Sequence, residues 1–174
     1  MKVGMISLGC CKNLVDSEKI MGLFVSGGCT IVSDASEADV LVVNTCGFIE
    51  PAKEEAINTI LEMAEYKEEN CKCLIVTGCL AKRYKEALID EMPEVDAFIG
   101  VDEYDRLPEI LHDLLGLNFP QTYGKCDRLL STKPWMAYLR IADGCDNRCT
   151  YCAIPLIRGG YRSVPMENLI EEAK

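Results

Sequence analysis

Residues 38–47 read ADVLVVNTCG, with four apolar residues in a row before Asn44 and Cys46. A short, almost unbroken apolar run rich in valine is typical of a parallel strand that helices cover on both faces. Residues 2–9 (KVGMISLG) and 71–79 (CKCLIVTGC) contain similar runs, and each of them leads into a cysteine. These three stretches predict the buried strands of one sheet.

Helical segments alternate with these strands. Residues 14–28 are predicted to form a helix that Asn13 caps, with Asp16 in its first turn. Pro51 suits the first turn of a second helix, whose apolar face comprises Ala56, Ile57, Ile60, Leu61 and Ala64. Residues 29–34 and 97–101 are further strands, and residues 81–92 and 107–115 further helices. This alternation predicts an α/β domain with a doubly wound, flavodoxin-like parallel sheet of strand order 2-1-3-4-5.

Three cysteines stand at the carboxyl ends of predicted strands one, three and four: Cys10, Cys46 and Cys79. Neighbouring strands are about 4.8 Å apart, and open α/β sheets bind ligands at this edge. We therefore expect the three thiols to converge, with small residues beside them (Gly9, Gly47 and Gly78) leaving room for a bulky ligand. The pattern predicts an iron–sulfur site with three protein ligands. Packing of the three cysteines in the core is the alternative.

Other cysteines are predicted not to be ligands. Cys29, Cys71 and Cys73 fall at strand starts, the opposite end of the sheet, where cysteine acts as a small hydrophobe. Cys11 adjoins a predicted ligand, but adjacent side chains seldom point to the same site. Cys126 lies in the segment that follows the sheet.

The chain changes character after residue 116. Residues 117–134 carry two prolines without clear periodicity and are interpreted as a linker. Residues 137–144 (AYLRIADG) are predicted to form a strand, and residues 165–174 begin a helix. The predicted organisation is thus a first domain over residues 1–116, a linker over 117–134, and the start of a second domain over 135–174.

A compact cysteine loop follows the strand at 137–144. Residues 144–152 read GCDNRCTYC, which places Cys145, Cys149 and Cys152 at C-x3-C-x2-C spacing with Tyr151 before the last cysteine. Thiolates select zinc, copper(I) or iron–sulfur iron, but a structural zinc site has four closed ligands. Three thiolates on a cubane leave one iron free to bind a small molecule. A structural metal knuckle or three incidental thiols are the alternatives.

This loop resembles the cluster loop of the radical S-adenosylmethionine (SAM) superfamily. The resemblance implies a [4Fe-4S] cluster on Cys145, Cys149 and Cys152 that binds and reductively cleaves SAM, with the backbone of Tyr151 near the adenine. It also implies that residues 135–174 begin a TIM-type barrel. Because a barrel needs about 200 residues or more, the chain is expected to be a fragment.

Taken together, the two cysteine sets resemble the methylthiotransferase family. Residues 7–18 (SLGCCKNLVDSE), 44–49 (NTCGFI), 77–80 (TGCL) and 153–163 (AIPLIRGGYRS) are similar to the branch that modifies small-subunit ribosomal protein S-twelve. The tRNA-modifying branch typically has Gln-Met in place of Cys11-Lys12. Gly160 replaces a usual proline, and Val164 replaces a usual arginine that contacts substrate or SAM.

The resemblance implies addition of a methylthio group to the β-carbon of an aspartate of that ribosomal protein. Two [4Fe-4S] clusters and SAM are the implied cofactors, the cluster of Cys10, Cys46 and Cys79 delivers sulfur, and flavodoxin or ferredoxin supplies electrons. Two other functions remain open: a tRNA adenosine methylthiotransferase, and a flavodoxin-like electron-transfer or flavin-binding module. Three cysteines at the strand ends disfavour FMN, which needs a phosphate-cradling loop there.

Composition and charge bear on the partners and the cellular compartment expected for this chain. A net charge of −10 argues against direct nucleic-acid binding by this segment, since phosphate contacts need clustered Lys and Arg. No apolar run reaches the length of a membrane span or a signal peptide core, and 11 cysteines indicate metal ligation in a reducing cytoplasm. The acidic residues between Glu50 and Glu69 are interpreted as a solvated face.

Four basic residues are further candidates for a role in the site. Three of them, Arg140, Arg148 and Arg158, are near the loop, where each is either a partner of SAM or the cluster, or a solvated charge. His112 falls off the apolar face of its helix, which predicts a surface position.

Overall fold

The computed structural model describes residues 1–119, 123 and 128–174. The first part of the chain forms five strands and four α-helices: β1 Lys2–Ser7, α1 Cys11–Ser26, β2 Thr30–Val32, β3 Val40–Thr45, α2 Glu50–Glu65, β4 Cys73–Gly78, α3 Cys79–Glu91, β5 Ala97–Gly100 and α4 Leu107–Leu115. Strands and α-helices alternate except between β2 and β3, which a 3-10 helix, Ala35–Glu37, connects. Four short elements follow: β6 Ala142–Asp143, α5 Ile154–Arg158, β7 Arg162–Ser163 and α6 Met166–Glu172. In the described residues, no helix is both long and apolar enough to cross a membrane.

The five strands form one parallel sheet in the order β2-β1-β3-β4-β5. This order confirms the predicted flavodoxin-like arrangement. The central strands β3 and β4 are buried along their whole length, which is why their sequences are apolar without alternation.

Helices cover both faces of the sheet. Leu41 and Val76 contact one core cluster, which includes Ala56 and Ile60 of α2. Val42 points to the other face, where a second cluster contains side chains from α1 and α4. Leu61 is exposed, so its predicted place on the apolar face of α2 is wrong; Met63 is buried in the same core cluster instead.

The start of α1 differs from the prediction. Cys10 is the N-cap residue and Asn13 lies inside the first turn, fully buried. The Asn13 side chain donates hydrogen bonds to the carbonyls of Leu8 and Thr45, each at 3.0 Å. Asn13 therefore binds two neighbouring strand ends and cannot also cap its own helix.

The strand predicted over residues 137–144 is much shorter in the structure. Only Ala142–Asp143 is a strand, and it pairs antiparallel with β7. Beyond this pair, the Val164 amide donates to the Ile141 carbonyl at 2.9 Å. A strand requires a hydrogen-bonded neighbour, and within the described part of the chain residues 137–140 have none. The predicted terminal helix is confirmed as α6.

Candidate functional site

The sheet register places the three strand-end cysteines at one edge. Ser7 is the partner of Asn44 in β3, and Thr45 is the partner of Gly78 in β4. Cys46 and Cys79 follow Thr45 and Gly78 directly, so they leave adjacent strands at the same level. Cys10 follows two residues after Leu8, whose amide still donates to the Asn44 carbonyl at 2.9 Å.

Gly9 brings the loop after β1 against Cys46. Its φ is +90°, and a Cβ at this position would lie 2.7 Å from the Cys46 Cβ and 3.2 Å from the Asn13 Nδ2. No L side chain fits such an approach. The glycine thus allows Cys10 and Cys46 to stand on touching backbone segments.

The three thiols differ in their surroundings. Cys10 is exposed, Cys46 is half-buried and Cys79 is buried. Burial raises the pKa of Cys79 to about 11, against the opposing effect of the Arg158 cation, and the nearby Cys46 and Cys10 raise it further. The Cys79 Sγ lies 3.6 Å from the Asn13 Oδ1 and 3.9 Å from an Arg158 nitrogen. The set is therefore open to solvent on one side and backed by an amide and a guanidinium on the other.

Cysteines at the opposite end of the sheet behave as predicted for small hydrophobes. Cys29, Cys71 and Cys73 are buried. The Cys71 thiol donates to the Cys73 carbonyl at 3.2 Å, and burial raises the pKa of Cys73 to about 12. Cys11 is exposed on the first residue of α1. Cys126 lies outside the described residues.

The compact cysteine loop, residues 144–152, precedes α5 and contacts residues 159–161 on its other side. The Cys145 amide donates to the Gly159 carbonyl at 3.1 Å, and the Asp146 carboxylate accepts the Tyr161 amide at 3.0 Å. Gly144 has φ +74°, and a Cβ there would lie 2.0 Å from the Gly160 carbonyl oxygen. A side chain at position 144 would therefore push the loop away.

Within the loop, the Cys152 amide donates to the Cys149 carbonyl at 3.0 Å, which closes a tight turn. Cys145 and Cys152 are half-buried and Cys149 is exposed. Tyr151 is 86% exposed, so its packing contribution to the loop is small.

Two of the three arginines near the cysteine loop are not solvated charges. Arg158 is 5% exposed and donates to Asn13 at 2.8 Å, to Asp16 at 2.9 Å and to Asp143 at 3.0 Å. Arg140 pairs with the other oxygen of Asp16. The interpretation as solvated charge is wrong for both, because each has a buried carboxylate to neutralise it. Arg148 is exposed in a left-handed backbone conformation, with φ 44°.

Known proteins resemble this chain over nearly its whole length. The model of uncharacterized protein family UPF0004 matches residues 2–100, which contain the whole five-stranded sheet. The chain belongs to the UPF0004 family. It is also 54% identical to the ribosomal protein uS12 methylthiotransferase RimO of Acetivibrio thermocellus over 99% of the chain and 42% of that protein. The RimO proteins of Lachnoclostridium phytofermentans and Clostridioides difficile are 54% and 49% identical, over 100% of the chain and 42% and 41% of their length.

These relatives confirm the resemblance to methylthiotransferases. The UPF0004 chain spans about two fifths of the length of the curated relatives it matches, since it covers 42% of the first two. Its activity, substrate and partners are therefore matters of proposal.

The donor chemistry of this UPF0004 chain fits iron–sulfur clusters. Each set offers three thiols, the soft ligands that such clusters use. In the part of the chain that the structure describes, no three Cys, His or acidic side chains surround a position for a single metal ion. A cluster of several irons is held by thiolates that stand farther apart than the ligands of one ion.

Sequence reasoning missed a hydrogen-bonded group of three residues, two of which contact the Cys79 sulfur. The sequence predicts a helix cap for Asn13, a first-turn position for Asp16 and a place near the cysteine loop for Arg158, yet the structure brings all three together. One signal was available for Asp16: an acid embedded in an apolar helix, four residues after Lys12 and three before Lys19, is on a shared face with both. The residue that neutralises it lies 142 positions away, and no local pattern reveals such a pair. His112 is exposed, as predicted, with its Nδ1 2.9 Å from the Leu117 carbonyl oxygen.

Proposed function

We propose that this chain is the amino-terminal part of a radical SAM methylthiotransferase of the uS12 type, which adds a methylthio group to the β-carbon of an aspartate in ribosomal protein uS12. One observation carries the proposal: two separate sets of three cysteines, one at the carboxyl edge of a parallel sheet and one on a compact loop, in a chain 54% identical to a RimO protein over 99% of its length.

The proposed cofactors are two [4Fe-4S] clusters and SAM. Cys10, Cys46 and Cys79 hold one cluster, and Cys145, Cys149 and Cys152 hold the other. When bound, the loop cluster supplies the electron that cleaves SAM, and the sheet-edge cluster supplies an iron that carries sulfur. Residues 135–174 then begin the radical SAM barrel.

The residues around the thiols have distinct tasks in this proposal. The Arg158 cation, 3.9 Å from the Cys79 sulfur, favours the thiolate that a metal requires. Asn13 fixes the rotamer of that cysteine and ties the ends of β1 and β3 together. Gly9 keeps the Cys10 loop close to Cys46.

One side of the cysteine loop is open for the cofactor. Cys149 and Tyr151 are exposed, so both face the volume that SAM and the substrate must enter. We assign the Tyr151 backbone to the adenine of SAM. The hydrogen bonds of Cys145 and Asp146 to residues 159–161 hold the loop in place while the ligand binds.

The implied partners are a basic ribosomal protein and a small reductant, flavodoxin or ferredoxin, in the cytoplasm. The exposed acidic residues of α2 and the net charge of −10 suit a basic protein better than a nucleic acid. This charge favours uS12 over tRNA as the substrate.

The test uses the full-length protein, reconstituted with iron and sulfide without oxygen, and then supplied with SAM and a reductant. Ribosomal protein uS12 and tRNA are offered in parallel, and both are analysed by mass spectrometry. We expect a methylthio group on an aspartate of uS12 and none on tRNA. Modified adenosine in tRNA would support the sister activity instead. A flavin absorption spectrum without iron–sulfur bands would support an electron-transfer module and overturn the proposal.

A further inference from the structure

Helix α1 buries charged side chains that the sheet does not neutralise. Asp16 and Glu18 are both 0% exposed. In the described residues, all of their cationic partners lie within the predicted linker or after it: Arg128, Arg140 and Arg158. A buried carboxylate without a cation is strongly unfavourable. The first domain therefore depends on the later segment to complete this face.

Each buried carboxylate is fully engaged. Asp16 receives Arg140 on one oxygen and Arg158, at 2.9 Å, on the other. Glu18 receives Arg128 at 2.7 Å on one oxygen. Its other oxygen accepts both the amide and the hydroxyl of Ser131, each at 2.8 Å.

Two further ion pairs frame the buried ones. Lys12 lies 3.2 Å from Asp143, and Lys19 lies 3.3 Å from Glu172. Lys12, Asp16 and Lys19 are spaced by four and three residues, so they share one face of α1. This face, which we call the α1 charged face, meets residues of opposite charge throughout.

Arg158 connects this face to both cysteine sets. It is the last residue of α5 and directly precedes Gly159, whose carbonyl accepts the amide of Cys145. Its guanidinium lies between Asp16, Asn13 and the sulfur of Cys79. The apolar cluster beside it is small: among the described residues, it comprises Cys79, Ala153 and Ile157, with Val101 at the edge.

We propose that Asp16 is a positioning residue: by anchoring Arg158 and Arg140, it docks the cysteine loop segment on α1 and sets the separation of the two cysteine sets. The docking stands on the geometry of this chain alone. Its consequence for methylthio transfer rests on the proposed function, because sulfur must reach a substrate that is activated at the other cysteine set.

The docking is tested on the 174-residue chain by hydrogen–deuterium exchange, comparing wild type with Asp16→Asn. The control is Asp90→Asn, an identical change at an exposed position of α3. We expect amides of residues 153–163 to exchange about a hundredfold faster in Asp16→Asn, the effect of losing a buried ion-pair partner. Amides of β3 and β4 should keep wild-type protection, as should the whole of Asp90→Asn. Unchanged exchange of residues 153–163 in Asp16→Asn overturns the proposal.

A second variant keeps the test decisive if Asp16→Asn does not fold. Arg140→Gln removes one partner of Asp16 and leaves Arg158 in place, so residues 153–163 should exchange faster while the sheet stays protected. Asp16→Glu, which keeps the charge, should restore part of the protection lost in Asp16→Asn. Wild-type exchange in Arg140→Gln would contradict the proposal.

The consequence for transfer is measured in the full-length, cluster-loaded enzyme. In Asp16→Asn, we expect 5′-deoxyadenosine formation close to wild type and methylthiolated product lower by about a hundredfold, as misplacement of reacting groups produces. Equal loss of both products would assign Asp16 to folding alone and overturn the positioning role. If wild type itself forms no methylthiolated uS12, the proposed function fails, and the exchange experiment still decides the docking.

Discussion

At the scale of single residues, Asn13 is a fully buried polar side chain beside the strand-end cysteines. Its side-chain amide donates to the ends of two strands and accepts a hydrogen bond from Arg158. Its backbone carbonyl accepts the Asn44 side-chain amide at 2.8 Å. It is also the clearest residue-scale error of sequence reasoning. Asparagine before a helical pattern indicates a cap, and nothing in the neighbouring residues shows that the strand ends need its amide more.

Gly9 gives the first residue-scale prediction. Gly9→Ala adds a Cβ at φ +90° and 2.7 Å from the Cys46 Cβ, and we expect it to lower the free energy of unfolding by about 2–3 kcal/mol. Gly28→Ala is the matched control, since Gly28 has φ +83° and nothing within 4 Å. It should lose only the backbone share, about 1 kcal/mol. Urea denaturation of both variants measures the difference, and equal losses would show that the close approach to Cys46 is absent.

The assignment of the cluster ligands gives the second residue-scale prediction. Cys10→Ala, Cys46→Ala and Cys79→Ala should each lower the iron content of the reconstituted protein to that of one cluster. Cys71→Ala should leave iron content unchanged, because Cys71 is buried at the opposite end of the sheet. Iron per chain is measured by colorimetric assay. Iron loss in Cys71→Ala comparable to that in the other three would contradict the assignment.

At the scale of elements, sequence reasoning found the five strands and four α-helices that the structure shows within residues 1–116. Valine-rich runs separated by amphipathic segments admit few other arrangements, and β3 and β4 are apolar because both of their faces are covered. It failed at residues 137–144. Those residues have the composition of a strand, but pairing depends on a distant partner. Within the residues that the structure describes, only Ala142–Asp143 has one.

The turn between β5 and α4 carries an element-scale prediction. Burial by itself raises the pKa of Glu103, but hydrogen bonds from Lys85 and the Gly100 amide outweigh it and hold the pKa below its ordinary value. A carboxyl with a lowered folded pKa stabilises the protein above its unfolded pKa, and this contribution disappears as pH falls through the folded value.

We therefore expect Glu103→Gln to lower the free energy of unfolding by about 1 kcal/mol at pH 7, the size of a charged hydrogen bond near the surface. The difference from wild type should shrink as pH falls below about 4.3, the ordinary pKa of glutamate. Denaturation at several pH values measures it, with exposed Glu62→Gln as the control. A difference that grows toward low pH would show that the sign is wrong.

At the scale of the whole molecule, the boundary at residue 116 remains a prediction. The sheet has its own two-faced core, but α1 also carries Asp16 and Glu18, which Arg128, Arg140 and Arg158 neutralise. Composition and periodicity predict a division of the chain at residue 116, since both are local properties. The charged contact between the two parts was not predictable, because its members are more than 100 residues apart and read individually as surface charges.

We expect residues 1–116 to fold alone, because removal of the later segment exposes Asp16 and Glu18 to water, which solvates both carboxylates. Circular dichroism should show mixed helix and strand with a cooperative thermal transition. A matched segment carrying Asp16→Asn and Glu18→Gln should be at least as stable, since no partner is lost. An unstructured spectrum for residues 1–116 would contradict the domain boundary.

The central claim is that the two cysteine sets have separate tasks. It is tested by chromatography of 5′-deoxyadenosine and methylthiolated uS12 from two triple variants of the full-length enzyme. With Cys145, Cys149 and Cys152 changed to Ala, we expect neither product. With Cys10, Cys46 and Cys79 changed to Ala, we expect 5′-deoxyadenosine and no methylthiolated uS12. Methylthiolated uS12 from the second variant, or loss of all SAM cleavage while its loop cluster stays loaded, would contradict the claim.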